Sequence, residues 1–208
     1  MTDADTLRVM VEDEQEEFET LLRDLTAEQW ATPSLCEGWS VRDVVIHIAN
    51  HSHTTTRERI VQLARARFSE ARQMDGHQGC STDELIDWLS SPAHLGGPLN
   101  IRTQLAELVI HQQDVRRPLR MLRDIHADRL RILLDFGLTR LGSASVAFSR
   151  RRTRHIRLVA TDIAWSAGVG PEACGPAEAI FMAANGRADA IGDLYGDGLP
   201  VLATRLVA

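Results

Sequence analysis

The chain contains no lysine; all 23 of its basic residues are arginine. Catalysis through a lysine Schiff base is therefore excluded, and so is a nucleotide-binding P-loop, whose motif requires a lysine. Cysteine is scarce as well. Cys36, Cys80 and Cys174 are odd in number, far apart and form no Cys-x-x-Cys pair, so no disulfide framework is expected and a reduced compartment fits. No apolar run approaches the roughly 18 residues of a membrane span. The opening residues Met1-Thr2-Asp3-Ala4-Asp5 lack the basic-then-apolar plan of a signal peptide. A cytoplasmic protein without a membrane partner is the expectation. An excess of positive charge is also missing: the net charge is -6, which argues against nucleic acid, since phosphate neutralisation needs a basic surface.

What is present is ordinary globular composition, 44% hydrophobic and 25% charged, in a length that supports one domain with a small appendage. Leu7, Met10, Val11, Phe18, Leu21, Leu22 and Leu25 mark one face of a helix from about Asp3 to Leu25. Ser40 and Asp43, at capping-box spacing, predict a second helix running through His47 to about Ala66. Ser81 and Glu84 repeat that spacing before a short helix ending near Leu89. A loop from Pro92 to Pro98 leads into a long helix from Leu99 to Arg117, with Pro118 as its stop. Another helix is expected over Ile125 to Leu141. The texture changes after Gly142. His155 to Ala160 alternates like a strand, with Ile163-Ala164-Trp165 as its expected hairpin partner. Gly175-Pro176 opens a small helix through Ala184, and two shorter helical pieces separated by Gly196 to Gly198 follow. The plan is a mainly α protein: a helix bundle over 1–145 and a small α/β appendage over 146–208.

One pattern in the bundle carries chemistry. Glu107 and His111 are four residues apart, so a helix places them on one face, a turn apart. One further imidazole, His47 about sixty residues upstream, would complete three ligands; three ligands and an open position is the arrangement of catalytic rather than structural zinc. Gln104, Glu107, His111 and Asp114 form one polar stripe at spacings of three, four and three. A stripe bordering a bundle core is where such bundles build metal sites, although a solvated helix face would produce the same spacing. Asp114 is placed to accept the second ring N–H of a ligand histidine. His51, four residues after His47, is a fourth ligand, an outer partner or a surface residue. Arg116 and Arg117 either satisfy the helix dipole or hold a substrate carboxylate. His53, His77, His94, His126 and His155 are expected at the surface, Trp30 and Trp39 as core anchors, and Cys36 as loop packing rather than a thiol beside the site.

The segment Pro33-Ser34-Leu35-Cys36-Glu37-Gly38-Trp39-Ser40-Val41-Arg42-Asp43, followed by His47, resembles the start of the mycothiol-dependent maleylpyruvate isomerase family, part of the DinB-like metal-binding superfamily. Glu107-Leu108-Val109-Ile110-His111-Gln112-Gln113-Asp114 is similar to that family's second metal-binding segment, and Val159 to Asp162, Trp165 to Gly168, Gly175 to Ala179 and Asn185 to Arg187 to its small C-terminal domain. The resemblance implies a DinB-like up-and-down four-helix bundle holding a divalent ion, usually zinc, with His47, Glu107 and His111 as ligands. It implies mycothiol as co-substrate and an external thiol rather than a side chain as nucleophile. Cis–trans isomerisation or S-transfer to a small electrophile would follow. A non-catalytic metal-binding module and a metal-free structural bundle are the alternatives. Small molecules are the implied partners, and a homodimer is left open.

Overall fold

A computed structural model describes residues 3–53, 79–91, 98–140, 142 and 150–207. The chain divides into two compact units, Met1–Leu122 and Arg123–Ala208. The division falls earlier than the 145/146 boundary expected from sequence texture, and the reason lies in the helix over Ala127–Leu138, which packs within the second unit.

The first unit is built on α1 (Ala4–Arg23), α2 (Ala27–Trp30), α3 (Val41–His53), α4 (Thr82–Ser90) and α5 (Pro98–Leu119). Asp3 caps α1 by accepting from the Thr6 amide at 2.7 Å, and both anticipated capping boxes form. Ser40 and Asp43 exchange bonds at 2.9 and 3.2 Å at the start of α3. Ser81 and Glu84 do the same at 2.7 and 3.2 Å before α4. These exchanges satisfy amides that the first turn of a helix otherwise leaves orphaned. A run of α3 beyond His53 lies outside the described residues.

α1 and α3 each pack on both α4 and α5, so the four long helices close a bundle. Leu7, Val11, Phe18, Leu21 and Leu22 of α1 are buried, as are Val44 of α3, Leu85 of α4 and Ile101 and Leu105 of α5. Two polar side chains of α1 are buried beside them and are bonded. Gln15 donates to the Leu89 carbonyl of α4, and Glu14 accepts from Gln112 of α5 at 3.3 Å.

α5 does not stop at Arg117. It includes Pro118 and ends at Leu119. Proline carries no N–H, so the carbonyl of Asp114, four residues earlier, lacks its helical donor. The amide of Leu35 supplies a substitute at 3.1 Å. Arg120 then takes a left-handed conformation, φ 57°, while Met121 and Arg120 bond back to the Arg116 and Arg117 carbonyls at 2.9 and 3.1 Å. This is a Schellman ending with arginine in the position usually held by glycine.

The second unit contains α6 (Ala127–Leu138), the one-turn α7 (Arg150–Thr153), β1 (Arg157–Ala160), β2 (Ser166–Gly168), β3 (Glu172–Gly175), α8 (Ala177–Ala184), a 3-10 turn over Ala188–Asp193 and α9 (Leu199–Val207). The sheet order is β2-β1-β3, with β1 antiparallel to β2 and parallel to β3. The hairpin partner of β1 is therefore Ser166–Gly168, not Ile163–Trp165, which forms the bend between them. β3 escapes a reading by alternation, because its Gly-Pro borders and Ala-Cys centre carry no β-branched residue. Asp162 in the bend accepts from the Ala177 amide at 2.8 Å and caps α8, whose preceding Pro176 has no side-chain cap to offer. The Trp165 indole donates to Asp135 of α6 at 2.8 Å.

Phe18 is fully buried in α1. Phe18→Ala is expected to cost about 3–5 kcal/mol through lost transfer energy and a residual cavity, read as a lower urea midpoint for unfolding of the first unit.

Candidate metal centre

α3 and α5 run antiparallel, so residues later in one meet residues earlier in the other. His47 of α3 lies opposite Glu107 and His111 of α5, and His51, one turn further on, lies opposite Gln104. The Glu107 Oε2 atom is 3.6 Å from His47 Nε2 and 3.4 Å from His111 Nε2. All three donor atoms lie within 4.8 Å of one another. Bonds of about 2.0–2.1 Å at tetrahedral angles place neighbouring nitrogen and oxygen ligands about 3.3 Å apart. The two edges to Glu107 are close to that value, and the donor set of two imidazoles and one carboxylate is one that zinc accepts. His47, Glu107 and His111 thus fit a divalent ion.

The electrostatics point the same way. Burial alone would raise the Glu107 carboxyl, but the charge of His51 and hydrogen bonds from His111 and His47 overcome it and hold it well below the ordinary range. Burial likewise opposes the charged form of His111. Its bonds to Asp114, Cys36 and Glu107 outweigh that and raise it well above its usual value. An arriving cation must displace a proton from this pair, as metal uptake by histidine generally does.

His111 Nδ1 is 2.8 Å from Asp114 Oδ2, and Asp114 is completely buried. The carboxylate takes the ring's second nitrogen and fixes its orientation, the outer role anticipated for it. His51 donates from Nδ1 to the Gln104 side-chain oxygen at 2.8 Å, because an amide oxygen can only accept. His51 is outside the three-donor group, and its ring centroid is 6.3 Å from that of His47. Arg116 is engaged away from the cluster: Nε donates to Gln112 at 2.8 Å and Nη1 reaches the Met121 carbonyl at 3.4 Å. Arg117 is half-buried in the same last turn.

Cys36 sits differently from its expected place in loop packing. Its thiol donates to Asp114 Oδ2 at 3.1 Å and lies 3.7 Å from His111 Nδ1. The loop that carries it is a tight one: Ser34 N–H bonds to Trp39 O at 2.8 Å, Trp39 N–H to Cys36 O at 3.0 Å, and Gly38 takes φ 77°. Trp39 belongs to the same wall, its ring centroid 5.1 Å from that of His47. It is half-buried and not a core anchor; Trp30, at 5% exposure, is one. A sequence signal for this loop did exist in Pro118, which frees the carbonyl where Leu35 docks.

Residues 11–95 match the family model described as the mycothiol maleylpyruvate isomerase N-terminal domain. Among solved structures, the crystal structure of the mycothiol-dependent maleylpyruvate isomerase superposes with a TM-score of 0.50 at 11% identity, over 94% of this chain and 93% of that one. At that identity the likeness is one of fold. No curated protein matches the chain significantly.

The raised His111 makes the metal-free fold pH-sensitive. Its imidazolium contributes stability that is fully present below the ordinary histidine pKa of about 6.5 and is lost as pH rises through the raised native value. Asp114→Asn removes the carboxylate whose hydrogen bond and charge raise His111, while the opposing effect of burial remains. The His111 resonance in NMR of the metal-free variant is expected to titrate at lower pH than in wild type. An unchanged midpoint would show that Asp114 does not set it.

Proposed function

We propose, for a chain whose residues 11–95 match the model of the mycothiol maleylpyruvate isomerase N-terminal domain, a divalent-metal enzyme acting with a small thiol, mycothiol in the first instance. The observation that carries this reading is the convergence of His47, Glu107 and His111 donor atoms within 4.8 Å. Zinc is the ion that suits two imidazoles and a carboxylate, and three protein ligands leave a position for an exogenous group. When bound, such an ion lowers the pKa of a coordinated thiol, so that thiolate is present at neutral pH.

The chain's own residues divide the remaining work. His47, Glu107 and His111 hold the ion, and Asp114 locks the His111 ring so that Nε2 faces it. His51 and Gln104, bonded to each other at 2.8 Å, stand one turn along both helices and close that end of the polar stripe. Trp39 and Cys36 bring the loop against the opposite side. The reaction class is reversible thiol addition to an activated alkene, giving cis–trans isomerisation of a maleylpyruvate-like substrate, or S-transfer if the thiol stays on the electrophile. A substrate carboxylate would call on Arg117, or on Arg116 after release from Gln112.

Metal analysis of purified protein is the direct test. Wild type should carry about one zinc per chain, while His47→Ala, Glu107→Ala and His111→Ala should each lose most of it. Equal content in all four proteins would refute the ligand set. With metal present, mass spectrometry of mycothiol incubated with maleylpyruvate and with a panel of electrophiles reads the chemistry. Bound zinc without isomerised or thiolated product would leave a metal-binding module in place of an enzyme.

A further inference from the structure

The two ring nitrogens of His111 face two different donor groups. Nε2 faces Glu107 and His47; Nδ1 faces Asp114 Oδ2 at 2.8 Å and Cys36 Sγ at 3.7 Å. Cys36 Sγ and Asp114 Oδ2 are themselves 3.1 Å apart, and the three atoms lie within 4.8 Å of one another. Sulfur, nitrogen and oxygen thus converge on a second point behind the ring. The nitrogen comes from α5, the oxygen from the same helix three residues later, and the sulfur from the loop that docks on the Asp114 carbonyl.

We propose that Cys36, His111 Nδ1 and Asp114 form a second cation position, taken by a thiophilic divalent ion in alternation with the His47–Glu107–His111 position. Bonds of about 2.3 Å to sulfur and about 2.0–2.1 Å to nitrogen and oxygen set tetrahedral edges of about 3.3 to 3.6 Å. The Cys36–His111 edge of 3.7 Å already has that length. The two edges to Asp114, at 2.8 and 3.1 Å, have hydrogen-bond length, and a cation in place of the bonding protons opens them by a few tenths of an ångström. The protons of the thiol and of Nδ1 leave to solvent as the ion enters. Access comes through Cys36, which is half-buried at the loop, whereas Asp114 is completely buried.

The donor sets differ in softness. Two imidazoles and a carboxylate favour a borderline ion, while a thiolate in the set shifts preference towards a soft one. One ring serves one ion at a time, since ligation through both nitrogens would require an imidazolate. A soft ion held by Cys36 therefore takes His111 away from the first position. The second position itself does not depend on the thiol chemistry proposed above; only the alternation involves the first set of ligands.

Cadmium titrated into metal-free full-length protein tests this, read by the ultraviolet sulfur-to-cadmium charge-transfer absorption. The band should grow to an end point of one ion per chain. It should be lost in Cys36→Ser and retained in the Cys80→Ser/Cys174→Ser double variant, which keeps Cys36 intact. His47→Ala should keep the band while losing zinc, so that failure of the first position and failure of the second are read separately. Asp114→Asn should weaken cadmium binding at least about tenfold, the loss expected even for a supporting partner. No band in wild type or in the double variant would overturn the proposal. So would a band that survives Cys36→Ser, one lost in His47→Ala, an Asp114→Asn affinity equal to wild type, or an end point of two ions.

Discussion

The first unit depends on Asp114. Its backbone and side chain solve separate problems at one position. The carbonyl, deprived of a helical donor by Pro118, is satisfied by the Leu35 amide at 3.1 Å. The carboxylate, completely buried, is satisfied by His111 at 2.8 Å and by the Cys36 thiol at 3.1 Å. A buried carboxylate without such partners would cost several kcal/mol. The loop from Pro33 to Ser40, the end of α5 and the orientation of the His111 ring are therefore fixed together.

From that junction the polar stripe runs back along α5 as Asp114, His111, Glu107 and Gln104. Each member meets a residue of the antiparallel neighbour or its leading loop: Cys36, His47 and His51. The low dielectric of a packed bundle strengthens every one of these contacts and makes any missing one expensive. That is why Glu107 stays ionised despite its burial, and why a cation is a favourable replacement for the proton that His111 carries. The same stripe that defines the site is thus a source of cost in the fold, offset by pairing. Glu14 with Gln112 and Gln15 with the Leu89 carbonyl solve similar problems on the other side of α5 and α1.

Much of the first unit was legible from local rules. Both capping boxes, at Ser40/Asp43 and Ser81/Glu84, mark helix starts because the side chains that satisfy the orphan amides lie within three residues of them. The apolar spacing of α1 identified its buried face. The errors have equally local causes. Pro118 reads as a stop, but a proline within the last turn removes only one helical bond, and here another segment supplies the donor. β3 was missed because Glu172–Gly175 owes its extended form to pairing with β1 and not to residue preference. The periodicity of α6 shows that the helix has a buried face without showing what covers it; in the structure α8 packs there.

By itself the sequence determined which residues share a helix face: Gln104, Glu107, His111 and Asp114 on one, His47 and His51 on another. Helical periodicity makes that a matter of counting. It also determined the chemical repertoire, with no lysine and few cysteines but histidines and carboxylates at ligand spacing. Only the tertiary structure decided that the two faces oppose each other with Glu107 between His47 and His111, and that Cys36 reaches Asp114 from a loop. Those contacts span some sixty to eighty residues of chain. They follow from bundle packing and from a carbonyl left without a donor, and side-chain spacing encodes neither.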